Sequence, residues 1–223
     1  MPAEALTRPR QVSARLLLLA LVGVLIGPGL IFTGLLISRY AVSERTRYET
    51  QARSMAEQVK NAIDNDLNGL RSTVQTLGTS TRLAVGDVHG FYDQITAVKS
   101  FIGADIALRS IDGQQLANTR LPLSTELPKT PLAIDADAIA ARRPVTSDVF
   151  VGAIVQRPVF AVAMAWPAVG EPRYLLHISA STDRIAEIIR RDLPAGWIVS
   201  VIDRRGVVVA RSERHSEVSG TPG

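Results

Sequence analysis

The sequence has 223 residues, of which 46% are hydrophobic and 21% charged, and its formal net charge is +4. This is an ordinary globular composition, and the scattered basic residues do not indicate a nucleic-acid interface. The absence of cysteine excludes disulfides and thiolate metal sites. The three histidines, His89, His177 and His215, are too far apart in sequence for a local metal motif. We therefore expect neither a metal nor a cofactor.

A long uncharged segment, residues 16–37, lies between Arg15 and Arg39. About 20 apolar helical residues are enough to span a bilayer core about 30 Å thick. The apolar run of a cleaved signal peptide is shorter, and a soluble core helix of this length carries a polar stripe, so these alternatives are less favoured. The segment predicts a transmembrane helix, kinked near Pro28, with the lipid bilayer as its partner.

The orientation of this segment does not follow from charge, because three arginines lie close to each side of it. Size decides instead. Residues 1–15 are a short basic flank, and the only possible globular region follows the apolar run, which is the usual signal-anchor arrangement. We expect a single-pass protein of the bacterial inner membrane, with residues 1–15 in the cytoplasm and the bulk of the chain in the periplasm or outside the cell.

Residues 38–77 are predicted to form a long juxtamembrane helix. Apolar side chains recur every three or four residues, and polar side chains fill the other faces. The apolar positions are Tyr48, Ala52, Met55, Val59, Ala62, Leu70, Val74 and Leu77. Such a stripe is typical of a helix that packs on its own domain, or of a homodimer seam that transmits a signal, and the sequence leaves both open.

The next region combines helical and strand-like patterns. Alternating apolar residues predict strands, and clusters of Gly, Pro and Asp predict the turns between them. We predict a helix at 93–102 capped by Asp93, a hairpin formed by 105–111 and 114–119, a helix at 131–142, and strands at 147–155, 159–166 and 173–180. This order of elements indicates an α+β fold with an antiparallel sheet.

The pattern of helix, strand, Ile-Asp turn and strand then occurs again. A second helix opens at Asp183, and residues 199–211 repeat 108–118 with an offset that moves between 90 and 93. Agreement of helix, strand and turn together indicates two related α+β domains in series, 78–182 and 183–223. Because a lone hairpin is only marginally stable, we expect the second domain to be incomplete in this sequence.

Asp112 and Asp203 begin the turns of the two predicted hairpins. An aspartate at the entry of a turn accepts hydrogen bonds from nearby backbone amides. This structural role accounts for both residues. We therefore predict that they occupy equivalent positions in the repeat and take no part in catalysis.

Two segments carry a resemblance to a known family: 112–122 (DGQQLANTRLP) and 196–212, which runs from Gly196-Trp197 to Arg211-Ser212. Together with the anchor and the long helix, they resemble the extracytoplasmic double Cache (PAS-like) sensor region of bacterial membrane sensor histidine kinases, particularly the HWE type. The resemblance implies signal transduction in a two-component system. It also implies a small-molecule or peptide ligand in the first PAS-like unit, with signalling through the second.

The sequence departs from a complete kinase because it has no phosphoacceptor histidine box and no ATP-binding glycine motif. No catalytic site is predicted, so kinase activity would require a downstream output domain. Chemoreceptors and diguanylate cyclases use the same sensor architecture and stay open as alternatives. A stand-alone membrane-tethered binding protein also stays open, whereas an extracytoplasmic enzyme is the least favoured reading.

Five residues are candidate ligand contacts, because a Cache pocket lies between the sheet and the segments that cover it. They are Arg120, Arg157, Trp166, Tyr174 and His177. An arginine suits a ligand carboxylate because it donates two parallel hydrogen bonds. Four of the five also have a structural explanation: a solvated strand-end charge for the two arginines, a core or strand-end aromatic for Trp166, and a surface or core-edge position for His177.

Overall fold

The computed structural model describes residues 14–191 and 193–223. The chain forms two compact units, Met1–Ser54 and Met55–Gly223. The described part of the first unit is helical and belongs to helix α1 (Ala14–Leu77), which ends in the second unit.

The predicted anchor lies in the first unit. No helix in the described part of the chain is both long enough and apolar enough to cross a membrane. The transmembrane helix predicted at 16–37 is therefore not confirmed, and several side chains of that segment lie outside the described set. Residues 1–13 of the predicted cytoplasmic flank also lie outside the described residues.

The second unit is an α+β structure in which helices pack on antiparallel sheets. Its helices after α1 are α2 (Thr81–Ala84), α3 (Val88–Ile102), α4 (Ile134–Ala141), α5 (Thr182–Arg191) and α6 (His215–Val218). Its strands are β1 (Asp105–Ser110), β2 (Gln115–Asn118), β3 (Val145–Thr146), β4 (Phe150–Val151), β5 (Pro158–Trp166), β6 (Tyr174–Ser181), β7 (Ser200–Ile202) and β8 (Val208–Arg211).

The larger sheet has the strand order β2-β1-β6-β5-β3, with β4 also paired to β5, and the smaller sheet consists of β7 and β8. Every pairing between these strands is antiparallel. The α+β class with an antiparallel sheet, as in PAS-like domains, is thus confirmed. The longest strands, β5 and β6, form a hairpin at the centre of the larger sheet, and β1 pairs with the other edge of β6.

One face of the larger sheet carries the main hydrophobic core. Successive strand residues point to opposite faces, so alternate residues of β1, β5 and β6 meet on this side. They include Ile106, Leu108, Phe160, Val162, Leu176 and Ile178. The last turns of α1 cover them with Leu70, Val74 and Leu77, all at most 2% exposed. This part of the apolar stripe therefore packs on its own domain, and the homodimer stays a prediction.

The start of α3 differs from the prediction. The Asp87 side chain caps this helix by accepting a hydrogen bond of 2.9 Å from the Gly90 amide. Asp93, the predicted cap, lies within the helix. The prediction was wrong because Asp87 can cap a helix in the same way as Asp93 and lies six residues earlier in the chain. The helix therefore begins one turn and a half before the predicted start.

The single strand predicted at 147–155 was also wrong, because the chain there forms β4 followed by a tight turn. The Gln156 amide donates to Gly152 O at 2.8 Å, and the Gly152 amide donates to Arg157 O at 3.0 Å. Gln156 has a positive φ of 53°, a conformation outside the extended region of a strand. The turn reverses the chain into β5.

A backbone repeat with a constant offset of 93 residues relates 106–130 to 199–223. The Ile106 amide donates to Thr119 Oγ1 at 3.0 Å, and the Val199 amide donates to Ser212 Oγ at 3.1 Å. In return, the Thr119 amide donates to Ile106 O at 3.0 Å, and the Ser212 amide donates to Val199 O at 2.9 Å. The two hairpins therefore share the same strand register and the same hydroxyl clamp.

The turns of the two hairpins follow the same offset. The Gly113 amide donates to Ser110 O at 3.0 Å, and the Gly206 amide donates to Asp203 O at 3.1 Å. Both glycines have positive φ, 90° and 79°. Asp203 therefore corresponds to Ser110 and not to Asp112 as predicted, because the glycine conformation fixes the turn. The boundary predicted between residues 182 and 183 stays a prediction.

Candidate functional site

A small cavity of about 50 Å³ lies on the face of the larger sheet opposite the main core. Its floor is formed by side chains of β1, β2 and β6, and residues 150–155 form its roof. The polar residues that line it are Asp105, Gln115, Asn118, Arg120, Thr130, His177 and Ser179. Convergent polar groups in a concave, largely buried space are the usual mark of a ligand site.

Strand register explains why these polar groups meet. On β1 and β6, Asp105 faces Ser179 and Ala107 faces His177 across the pair. Because side chains alternate along a strand, the residues between them point into the main core. Ala107 has a small side chain, and it leaves the space that becomes the cavity beside His177.

Arg109 lies next to the cavity floor and is completely buried, with 0% of its side chain exposed. Its guanidinium donates two hydrogen bonds to Asp135 on α4, at 2.8 and 2.5 Å, and a third to Thr130 O at 2.8 Å. Its Nε donates to His177 Nδ1 at 3.2 Å. Every nitrogen of the buried guanidinium thus has a hydrogen-bond partner, and the bonds tie α4 and the segment before α4 to the sheet.

His177 is held neutral with a defined tautomer. Burial, reinforced by the nearby charge of Arg109, lowers the pKa of His177 from 6.5 to about 3. Since Nδ1 accepts the hydrogen bond from Arg109, Nε2 carries the proton. His177 is 8% exposed, and its Nε2–H has no hydrogen-bond partner among the described residues. The cavity is therefore lined by a residue with an unused hydrogen-bond donor.

Arg120 supplies positive charge to the same cavity. One of its guanidinium nitrogens contacts Asp105, which also pairs with Lys99 at 2.8 Å. Within the described part of the chain, the other guanidinium nitrogens of Arg120 and the Ser179 hydroxyl have no hydrogen-bond partner. The unused groups of the cavity are mainly donors, which favours an anionic or acceptor-rich ligand.

Of the predicted contacts, only Arg120 and His177 meet at this cavity. Arg157 is exposed in the turn before β5, and it is not among the lining residues. Trp166 and Tyr174 face the main core, on the other side of the sheet. Their rings stack with centroids 5.9 Å apart, and Trp166 Nε1 donates to Gly78 O at 2.7 Å. These three residues do not line this cavity, and their part in ligand binding stays a prediction.

The sequence analysis missed Asp105 and Arg109, which lie on β1 at alternate positions of one face. Charged residues spaced by an even number within an otherwise apolar strand were the available signal, because they must share a face. Over residues 14–191 and 193–223, no group of three or more His, Asp or Glu side chains is arranged to hold a metal ion.

Proteins similar to this chain were found among solved structures. No protein-family model matches the chain, and no curated protein matches it either. Among solved structures, the sensor domain of the V. cholerae histidine kinase DctB is 14% identical, with a TM-score of 0.60, and the match covers 76% of this chain and 68% of that one.

Two chemoreceptor domains have similar scores. The ligand-binding domain of Pseudomonas aeruginosa PAO1 PctC, in complex with GABA, is 16% identical with a TM-score of 0.55, over 76% of each chain. That of Pseudomonas fluorescens CtaA, in complex with L-serine, is 13% identical with a TM-score of 0.61, over 80% of this chain and 77% of that one.

The fold is Cache-like, as in these sensor and ligand-binding domains. All of these similarities lie at identities where only the fold is shared, so they do not show an HWE type. Within the Cache-like fold, the cavity above β1 and β6 lies between the sheet and its covering segments, where the sequence analysis expected the pocket.

Proposed function

We propose that this protein is an extracytoplasmic sensor that binds a small carboxylate-containing molecule in the cavity beside His177 and Arg120. One observation carries the proposal: His177, whose Nε2–H has no hydrogen-bond partner among the described residues, lines a cavity that also holds the charged Arg120. A carboxylate would accept from both groups, and charge-assisted bonds of this kind are the stronger class of hydrogen bond.

The ligands in the related structures support this chemistry. PctC was solved with GABA and CtaA with L-serine, and both molecules carry a carboxylate. An ammonium group on the ligand would find its counter-charge at Asp105, which would then exchange part of its pairing with Arg120.

The size of the cavity adds a condition. About 50 Å³ accommodates a carboxylate group, whereas pockets for larger organic ligands measure roughly 300–1,000 Å³. A whole amino acid would require the roof, residues 150–155, to move outward. The roof belongs to a short two-residue strand and a turn, which are held by few backbone hydrogen bonds.

Anchoring in the bacterial inner membrane is part of the same proposal. Residues 16–37 contain 22 consecutive uncharged positions, and Leu17, Leu25, Leu30 and Phe32 among them are more than 60% exposed. Large apolar side chains on the outside of a helix favour a lipid environment over water. The short flank of residues 1–15 would then be cytoplasmic and the sensor unit periplasmic.

The output we propose is a two-component histidine kinase for which this chain provides the N-terminal sensor. The likeness to the DctB sensor domain supports this output. The likeness to PctC and CtaA supports a chemoreceptor as the second candidate. An immunoblot of native membranes distinguishes them from a stand-alone tethered protein, because a species of 24.0 kDa would lack any output domain.

Ligand binding can be tested by isothermal titration of the full chain in lipid nanodiscs with acetate, GABA and L-serine. We expect saturable binding of at least one of them and a loss of affinity of at least tenfold in Arg120→Gln. Arg157→Gln is the matched control, because it removes an exposed arginine outside the cavity. Equal affinities in the two variants, or no binding of any of the three compounds, would contradict the proposal.

A further inference from the structure

The roof of the small cavity, residues 150–155, is only weakly fixed to the larger sheet. Strand β4 pairs with β5 through two residues, Phe150 opposite Val159 and Val151 opposite Pro158. Proline has no amide proton, so Pro158 cannot donate a hydrogen bond to Val151. A segment with so few backbone bonds opens more easily than the long strands beside it.

The chain is fixed firmly to the sheet just before the roof. The Ser147 amide donates to Ala161 O, and the Ser147 hydroxyl accepts from the Ala161 amide, both at 2.8 Å. Residues 148 and 149 lie between this fixed point and the roof. They are therefore the hinge about which the roof would move.

The turn of the second hairpin holds both hinge residues. The Val149 amide donates to Asp203 Oδ2 at 3.1 Å, and the Arg205 guanidinium donates to Val149 O at 2.5 Å. Arg204 Nε donates to Asp148 Oδ1 at 3.0 Å. The side chains of both arginines are more than half exposed, whereas that of Asp203 is 5% exposed. Exposed ion pairs contribute little, so the bond between Asp203 and Val149 is the main link.

The repeat shows that the turn itself does not require this carboxylate. At the offset of 93 residues, Ser110 takes the place of Asp203, and the turn closes with the same backbone hydrogen bond. Asp203 Oδ1 accepts from the amides of Arg205 and Val207 inside the turn, both at 2.9 Å. Oδ2 accepts from Val149. The link to the hinge is thus a property of Asp203 and is not needed to form the turn.

A hollow of about 350 Å³ adjoins the small cavity. Phe150 and Leu132 line both spaces, so they form part of the wall between them. Val149, Arg204 and Arg205 also line the hollow, which places the link at its side. Displacing Phe150 would join the two spaces into one that lies within the range of roughly 300–1,000 Å³ typical of pockets for organic ligands.

We propose that residues 203–205 are a strap that keeps the small cavity closed. The bond from Val149 to Asp203 holds the roof, and its release lets Phe150 move so that the cavity joins the hollow. This inference rests on the proposed function, because the strap regulates the same ligand site. By linkage, a ligand that needs the larger space weakens the strap, and loss of the strap strengthens the binding of that ligand.

Asp203→Asn tests the strap in the absence of ligand. The asparagine keeps Oδ1 for the two bonds of the turn, but its NH₂ group takes the place of Oδ2 and faces another donor, the Val149 amide. We measure hydrogen exchange in the full chain in lipid nanodiscs. The amides of residues 149–152 should exchange at least tenfold faster than in the wild type, whereas those of Leu176 and Ile178 on β6 should change less than twofold.

Asp112→Asn is the matched control. It is the same substitution in the turn of the first hairpin, where the carboxylate bonds to Ser110 and Lys129. It should change the exchange of residues 149–152 less than twofold. If Asp203→Asn does not fold, Arg205→Gln provides a second test, because it removes the bond to Val149 O and should speed the same amides at least threefold.

Ligand titration tests the closing of the cavity. Acetate fits the closed cavity of about 50 Å³, so its affinity should differ less than twofold between Asp203→Asn and the wild type. Of GABA and L-serine, whichever binds the wild-type chain should bind Asp203→Asn at least threefold more tightly, because the roof no longer has to be released. Asp112→Asn should bind both as the wild type does.

The outcomes separate the strap from the proposed function. Unchanged exchange of residues 149–152 in Asp203→Asn would overturn the strap, and so would an equal acceleration of the β6 amides, which would mean that Asp203 supports the whole unit. Equal affinities of GABA or L-serine in the variant and the wild type would also overturn it. Faster exchange of residues 149–152 alone, in a chain that binds none of the three compounds, would support the strap and contradict the proposed function.

Discussion

Replacing Asp135 with alanine removes the carboxylate that neutralises the buried guanidinium of Arg109. Removing one partner of a buried ion pair usually costs about 3–5 kcal/mol, because the other charge is left uncompensated. Arg109 is 0% exposed, which places it in this class, but it keeps its bonds to Thr130 O and to His177. Asp135 itself is 13% exposed. We therefore expect the low end of the range, a loss of about 3 kcal/mol in the free energy of unfolding.

Urea unfolding of the detergent-solubilised chain measures this loss, with the fluorescence of the buried Trp166 as the probe. Asp137→Ala is the matched control, because Asp137 lies in the same first turn of α4 but is exposed. The control should change the free energy of unfolding by at most about 0.5 kcal/mol.

A double variant, Arg109→Met with Asp135→Leu, tests the physical reason. Apolar replacement of both partners removes the uncompensated charge, so we expect most of the lost stability to return. If Asp135→Ala costs no more than Asp137→Ala, or if the double variant is as unstable as Asp135→Ala, the reasoning about the buried charge is refuted.

Three further predictions concern single sites. The pKa of His177 is about 3 in the folded state, below its unfolded value of 6.5, so between these values the unfolded chain binds a proton that the native chain does not. The contribution of His177 to the free energy of unfolding is therefore fully present above pH 6.5 and is lost as the pH decreases towards 3. Going from pH 7 to pH 5 should cost about 2 kcal/mol, and urea titrations of His177→Gln should lack this part of the pH dependence. Trp166→Phe deletes the 2.7 Å hydrogen bond to Gly78 O and should cost about 1 kcal/mol in urea unfolding followed by circular dichroism, because the variant lacks the Trp166 fluorescence; no loss would mean that the bond contributes nothing. Gly113→Ala should lower the melting temperature more than Gly206→Ala, although both have positive φ, because only at Gly113 would a Cβ meet neighbouring backbone, at 2.9 Å; equal losses would contradict this packing argument.

The sheet was largely predictable from the sequence. The strands predicted at 159–166 and 173–180 differ from β5 and β6 by at most one residue at each end, because an unbroken apolar run next to an alternating one specifies strand type strongly. The start of α3 was not predictable in the same way. Asp87 and Asp93 are both good caps, and only tertiary packing of the helix selects between them.

The candidate site was only partly predictable. From the sequence, Arg109 would be predicted as an exposed charge, because arginines are mostly exposed. Its burial depends on the ion pair with Asp135, which lies 26 residues later in the chain and is placed next to Arg109 by α4. The repeat was detected, but its register was not. Matching the Ile-Asp pairs aligned Asp112 with Asp203, whereas the backbone aligns Gly113 with Gly206, because a positive φ constrains the chain more than a shared side chain does.

Neighbouring residues of strand β1 face two different environments, the small cavity and the main core. Ala107 faces the small cavity, and Leu108, the next residue, lies in the core that α1 covers. Only one layer of backbone thus separates the cavity from the core that α1 covers. A ligand that shifted or twisted β1 by a fraction of an ångström would displace Leu108 against close-packed neighbours, which yield little. Such a sheet transmits a displacement directly and needs no relay of polar side chains between the two faces.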